Sequence, residues 1–242
     1  NPNNFNITKC GLIAAYNEGT IRRCSVMVNY TLYVAGEIGV IAYQNSGIIE
    51  NCLSAVGTGT GASKFPGRIP EEASAAGIAY ENSGTIKNCL FDGKLRTDGV
   101  KDNSYVKKDY AIAQNKSNGT ITNCYYYHSK PRVNETYSGE LYKDGDKSTV
   151  IFKTQKEMGT GEVTWLLNES GKNDIWRQRE IGSADISLNK SYGRVKQNPN
   201  GTYSIVTPHI HRLDNGTQTE FKEVRSLDEI TGDTSNTKYY CL

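Results

Sequence analysis

Residues 44–52 read QNSGIIENC, residues 81–89 read ENSGTIKNC and residues 116–124 read KSNGTITNC. A chain that repeats one phrase at near-regular intervals must fold into like units, each burying the same face against its neighbours. The pattern Gly-[Thr/Ile]-Ile-x-[Asn/Arg]-Cys occurs at Gly19–Cys24, Gly47–Cys52, Gly84–Cys89 and Gly119–Cys124. A second match precedes each glycine: GLIAAYNEG (11–19), GVIAYQNSG (39–47), AGIAYENSG (76–84) and AIAQNKSNG (111–119). FNITKC (5–10) resembles the end of a further copy, which would bring Cys10 into line with the other cysteines.

Each copy reads as a strand, a tight turn and another strand. Asn-x-Gly permits the left-handed backbone that a tight turn requires. Ile and Cys stand three apart, so one flat strand would point them to opposite faces. The polar pair between them (Arg22-Arg23, Glu50-Asn51, Lys87-Asn88, Thr122-Asn123) therefore predicts a bend, with Ile and Cys turned inward and the polar pair meeting water. Successive cysteines are 28, 37 and 35 residues apart, within the range of solenoids, propellers and arrays.

These features predict an all-β, right-handed parallel β-helix. Each coil would add one rung about 4.8 Å from the last, and like residues would form ladders. Ile21, Ile49, Ile86 and Ile121 make one expected interior ladder, with Ile13, Ile41, Ile78 and Ile112 a second candidate. Asn17, Asn45 and Asn82 would stack at the turn. Cys24, Cys52, Cys89 and Cys124 would form a column of buried free thiols, because same-facing side chains point in parallel and bridge poorly. A propeller ranks second: it needs about four strands per blade, and only two per unit are clear. Composition agrees, with 36% hydrophobic residues, 24 Gly and 16 Tyr, the material of turn-rich β structure.

The sequence also excludes classes. A net charge of +2, from 28 basic and 26 acidic residues, offers no footprint for nucleic acid. No apolar run reaches the roughly 20 residues of a membrane span, so no membrane insertion within this chain is expected. The chain opens on Asn1 and ends on Tyr-Tyr-Cys-Leu, from which a native protein continuing past both ends is expected.

The segments GLIAAYNEGTIRRC, GVIAYQNSGIIENC and AGIAYENSGTIKNC resemble the GLUG repeat, with Ala14, Ala42, Ala79 and Ala113 at the second motif glycine. The resemblance covers roughly residues 5–128, and KTQKEMGTGEVTWLLNESGKNDIWRQ (153–178) looks like the segment that often follows such repeats. It implies an extracellular or bacterial cell-surface location, in adhesin-like chains or the non-catalytic parts of surface proteases, and no particular catalysis.

Residues 1–136 are accordingly read as repeats, 137–192 as a capping region with a short helix, and 193–242 as a β-hairpin and the possible start of a following module. Thr154-Gln-Lys-Glu157 has capping-box spacing, and Val163, Leu166 and Leu167 form a helical stripe that would close the open end of the helix with Trp165 and Trp176. The stretch 201–224 reads as a hairpin with Asp214–Thr217 at its tip.

Candidate sites are sparse. Insertions 57–75 and 93–109 fall at the same place in successive units, where repeat proteins carry binding loops. Tyr105, Tyr110, Tyr125, Tyr126 and Tyr127 are read as a binding patch for a glycan or host surface protein, since at least one of three consecutive strand residues must face outward. His209 and His211 share a strand face but read as a surface pair, and no metal or cofactor is expected. Asp92, Asp98 and Asp102 match no catalytic spacing. Nine Asn-x-Ser/Thr sequons are attributed to turn chemistry. The expected function is a non-enzymatic, monomeric structural or adhesion module. The alternatives are a carbohydrate-active β-helix or the non-catalytic arm of a larger protease.

Overall fold

A computed structural model describes residues 9–28, 36–56, 74–93, 110–127 and 150–206, and the backbone of four short strands between 210 and 241. It is rich in strands, most of them in parallel sheets.

The first three repeats each contribute one strand to each of four separate sheets, and the fourth contributes strands to three of them and a single bridge, Tyr110 to Ala76, to the other. The first sheet holds β1 (Lys9–Gly11), β5 (Glu37–Gly39) and β9 (Ser74–Ala76). The second holds β2 (Ala14–Asn17), β6 (Ala42–Asn45), β10 (Ala79–Asn82) and β13 (Ala113–Asn115). The third holds β3 (Thr20–Arg22), β7 (Ile48–Glu50), β11 (Thr85–Lys87) and β14 (Thr120–Thr122). The fourth holds β4 (Ser25–Val28), β8 (Leu53–Val56), β12 (Leu90–Gly93), β15 (Cys124–Tyr127) and β16 (Val150–Lys153). Every strand pairs in parallel with its counterpart one repeat away. A propeller blade pairs its own strands antiparallel, so four strands per unit do not make a blade here.

Register is set residue by residue. Ile21, Ile49, Ile86 and Ile121 are direct Cα partners along the third sheet. Leu53 N–H bonds Cys24 O at 2.9 Å, Leu90 N–H bonds Cys52 O at 3.0 Å and Tyr125 N–H bonds Cys89 O at 2.9 Å, which puts the four repeat cysteines in one line. Val150 continues that line as the partner of Cys124. Cys10 does not join it: it pairs with Ile38 in the first sheet, because Lys9–Gly11 are the residues that immediately precede β2 and must fill the first-strand position. All five cysteines among the described side chains are free.

The bend before each cysteine is a left-handed residue: Arg23 (φ 54°), Asn51 (54°), Asn88 (52°) and Asn123 (50°). Asn tolerates this conformation better than other side-chain-bearing residues. Gly47 and Gly84, in contrast, do not have a positive φ. They are needed for close approach: a Cβ on Gly47 would collide with the Gly19 carbonyl, and one on Gly84 with the Gly47 carbonyl.

The inner core is one cluster built from Ile38, Ile41, Ile49, Ile78, Ile86, Ile112 and Ile121 with Cys52, Cys89 and Cys124. Unit-to-unit variation is compensated within it. Unit three has Gly77 where unit two has Val40, and Phe91 where unit two has Ser54. A Cβ on Gly77 would strike the Phe91 ring, so the large side chain fills space the glycine leaves.

Residues 154–192 cover a sheet face rather than the end of the stack. Thr154 closes the expected capping box on α1 (Gln155–Met158), and α2 (Glu162–Leu167) follows after Gly161, whose φ is 95°. Met158, Val163, Leu167, Trp176 and Ile186 pack on Leu53, Leu90, Tyr125 and Tyr127, the outward side chains of the fourth sheet. Trp165 lies instead against Tyr203, with ring centroids 5.9 Å apart. Within the cover β17 (Arg177–Gln178) pairs antiparallel with β18 (Ile186–Ser187), and beyond it β19 (Arg194–Gln197) and β20 (Tyr203–Val206) form an antiparallel hairpin. The hairpin read in 201–224 is thus shared out: β20 pairs backward with β19, while β21 (Ile210–Arg212) pairs antiparallel with β22 (Gln218–Glu220), and Asp214–Thr217 lie outside the described residues.

Candidate functional site

Three of the five tyrosines of the expected patch are not on the surface. Tyr125, Tyr126 and Tyr127 are all buried. Alternation holds, with Tyr126 in the inner cluster and Tyr125 and Tyr127 outward, but the outward pair lies beneath the cover. Burial pushes the Tyr125 hydroxyl up to about 12, and that hydroxyl donates to Asn123 Oδ1 at 2.8 Å. Tyr110 is half-buried and sits edge-on to Tyr80 at 6.3 Å. Tyr105, His128, His209 and the tips of both insertions lie outside the described residues, as does the side chain of His211.

The asparagines build two columns. At the turn, Asn17 Nδ2 donates to Asn45 Oδ1 at 2.6 Å, Asn45 Nδ2 to Asn82 Oδ1 at 2.7 Å and Asn82 Nδ2 to Asn115 Oδ1 at 2.7 Å. The same amides reach strand carbonyls such as Ile48 O at 3.2 Å and Thr85 O at 3.3 Å. The second column is the set of left-handed asparagines, which do not face water as expected. Asn51 Oδ1 accepts from Trp176 Nε1 at 3.3 Å, Asn88 Nδ2 donates to Glu169 Oε1 at 3.0 Å, and Asn123 Nδ2 donates to Leu166 O at 2.8 Å and to Asn88 Oδ1 at 2.7 Å. They fasten the cover to the repeats.

Two thiols in the middle of the column are chemically quiet. Cys52, hydrogen-bonded to the Cys89 thiol and buried, is held far above its ordinary value, and Cys89 is pushed up mainly by burial. Thiols kept protonated are poor nucleophiles and poor metal ligands.

A shallow groove of about 190 Å³ runs beside the turn column, lined by Tyr16, Gln44, Ser46, Glu81, Ser83 and Lys116 among others. Gln44 Nε2 donates to Glu81 Oε2 at 2.6 Å, and Lys116 Nζ pairs with Glu81 Oε1 at 2.8 Å. The lysine holds the Glu81 carboxyl below its usual range. An exposed tyrosine beside planar polar groups can stack on and hydrogen-bond to a polar ligand. Sequence reasoning passed over it because Tyr16, Gln44 and Glu81 come from three different repeats.

Asp92 is the other unusual group. Its Oδ1 is shut off from water on the outward side of β12, and burial, with Asp185 nearby, raises its pKa to about 7. Asp98 and Asp102 lie outside the described residues. Among the described residues no three His, Cys, Asp or Glu side chains gather as a metal site, and no helix is long and apolar enough to cross a membrane.

Comparison with protein-family models, with curated proteins and with solved structures gave no match.

Proposed function

We propose that the chain forms a right-handed parallel β-helix serving as a rigid, non-enzymatic structural or adhesion module of an extracellular or bacterial cell-surface protein. The observation that carries this reading is the in-register parallel pairing of every repeat strand with its counterpart in the next repeat. Such pairing advances the chain by one strand width, about 4.8 Å, per coil and leaves every inner coil hydrogen-bonded on both sides. Length then grows by repetition without flexible joints, which suits a spacer. The surface location rests on the likeness of the three quoted repeats to the GLUG motif.

Binding to a glycan or host protein is assigned to insertions 57–75 and 93–109, which leave successive repeats at the same position. A glycan array probed with the protein, followed by analysis of bound sugars, tests the assignment. Binding that is lost on shortening either insertion, with the sugars intact, is the expected result. Release of reducing ends or unsaturated sugars would overturn it in favour of a carbohydrate-active enzyme.

A further inference from the structure

The turn column of asparagines has a direction. Each side-chain amide donates to the carbonyl oxygen of the asparagine one repeat further along. At the far end Asn115 closes the series on itself, its Nδ2 donating to Gly119 O of its own turn at 2.8 Å. At the near end Asn17 donates to Asn45 and to Ile48 O, and its Oδ1 accepts from no described residue.

The apolar columns stop at the same place. Ile13 is 43% exposed where Ile41 and Ile78 are fully buried, and Ile21 is half-buried where Ile49 and Ile86 are fully buried. Among the described residues β1, β2, β3 and β4 are the outermost strands of all four parallel sheets, so their outer backbone groups face away from the repeats.

We propose that this edge is a docking surface for one further coil of the same chemistry. The occupant is a polypeptide segment with an Ile-Ala pair and an Asn-x-Gly turn, running parallel to β2 and β3. Its asparagine would lie over Asn17 and donate to Asn17 Oδ1, extending the junction already made three times along the column. A full coil takes about as many residues as separate successive cysteines, 28 to 37. A second copy meeting head to head is disfavoured, because it would set one Oδ1 acceptor against another and run the strands antiparallel. The proposal deepens the stacked-coil reading, and its test is separable from that reading.

The test is a titration of the full 242-residue protein with a fluorescent peptide of residues 74–93 carrying Cys89→Ser. Saturable one-to-one binding is expected, with new hydrogen-exchange protection in residues 9–28. A peptide with Asn82→Leu, similar in size but lacking the amide donor, should bind roughly tenfold more weakly. Placing the change in the peptide leaves the fold of the protein untouched. Absence of binding, equal binding by the Asn82→Leu peptide, or protection confined to residues 110–127 would overturn the proposal. So would a dimer of the protein alone that protects residues 9–28. In each case the pairing of the inner repeats would remain to be judged by its own exchange protection.

Discussion

At the scale of single residues, the repeat is held by groups whose chemistry admits few substitutes. Asn45 is buried and bonded on both sides, to Asn17 and Asn82, while Asn17 is bonded on one side only. Asn45→Ala leaves the Asn82 side-chain carbonyl without its donor and one of the two Asn17 amide hydrogens without its acceptor, and each stranded buried group costs about 1–3 kcal/mol. Urea denaturation should therefore show Asn45→Ala to be the more damaging change by at least about 1 kcal/mol relative to Asn17→Ala. Arg23 offers the opposite case. It holds the left-handed position that Asn fills in the other three repeats, with φ at 54°. Arg23→Asn should stabilise the protein by about 0.5–1 kcal/mol, read as a shift in the denaturation midpoint, since it relieves backbone strain and disturbs no buried contact. Both positions could be found in the sequence by alignment of the repeats alone. The role of Gly47 and Gly84 could not, because it depends on the carbonyl of the neighbouring repeat and not on their own φ.

At the scale of elements, the cover formed by residues 154–192 is where local reading and tertiary structure part. The capping box at Thr154 and the Val163–Leu167 stripe are local signals and were legible. Which surface they pack on was not. The Trp176 contact to Asn51 spans 125 residues, and no local pattern encodes a partner so distant. The same contact accounts for the misreading of Tyr125 and Tyr127 as a surface patch, since alternation gives the side of the sheet and says nothing of what lies on it. Asp92 supplies a handle on this region. Its folded pKa of about 7 lies above its unfolded value near 4, so the native state holds a proton that the unfolded chain has lost. The resulting stability is fully present below about pH 4 and is lost as pH rises through about 7. Asp92→Asn should accordingly flatten the change in unfolding free energy between pH 5 and pH 8 by about 1–3 kcal/mol. An unchanged pH profile in that variant would place the titration elsewhere.

At the scale of the whole molecule, stability along the stack should be graded rather than uniform. Each repeat pairs its strands only with those of adjacent repeats, and apart from the shared cover the energy is close to a sum of unit and junction contributions. Ile49 and Ile86 are fully buried with a paired strand on either side, whereas Ile21 is half-buried in a strand paired on one side only. Native-state hydrogen exchange should thus open residues 20–22 first among the third-position strands, with 48–50 and 85–87 opening last. The far side is buttressed by a feature that the repeat pattern did not reveal: β16 continues the fourth sheet with Val150 beside Cys124, although its sequence lacks the motif. A strand without the motif can take this place because register is held by the backbone ladder and an apolar residue in the cysteine position, and neither needs a thiol. Adding a bound coil at the near edge should therefore slow exchange in residues 20–22 more than in 85–87. Equal slowing throughout would mean that the repeats open as a single cooperative block.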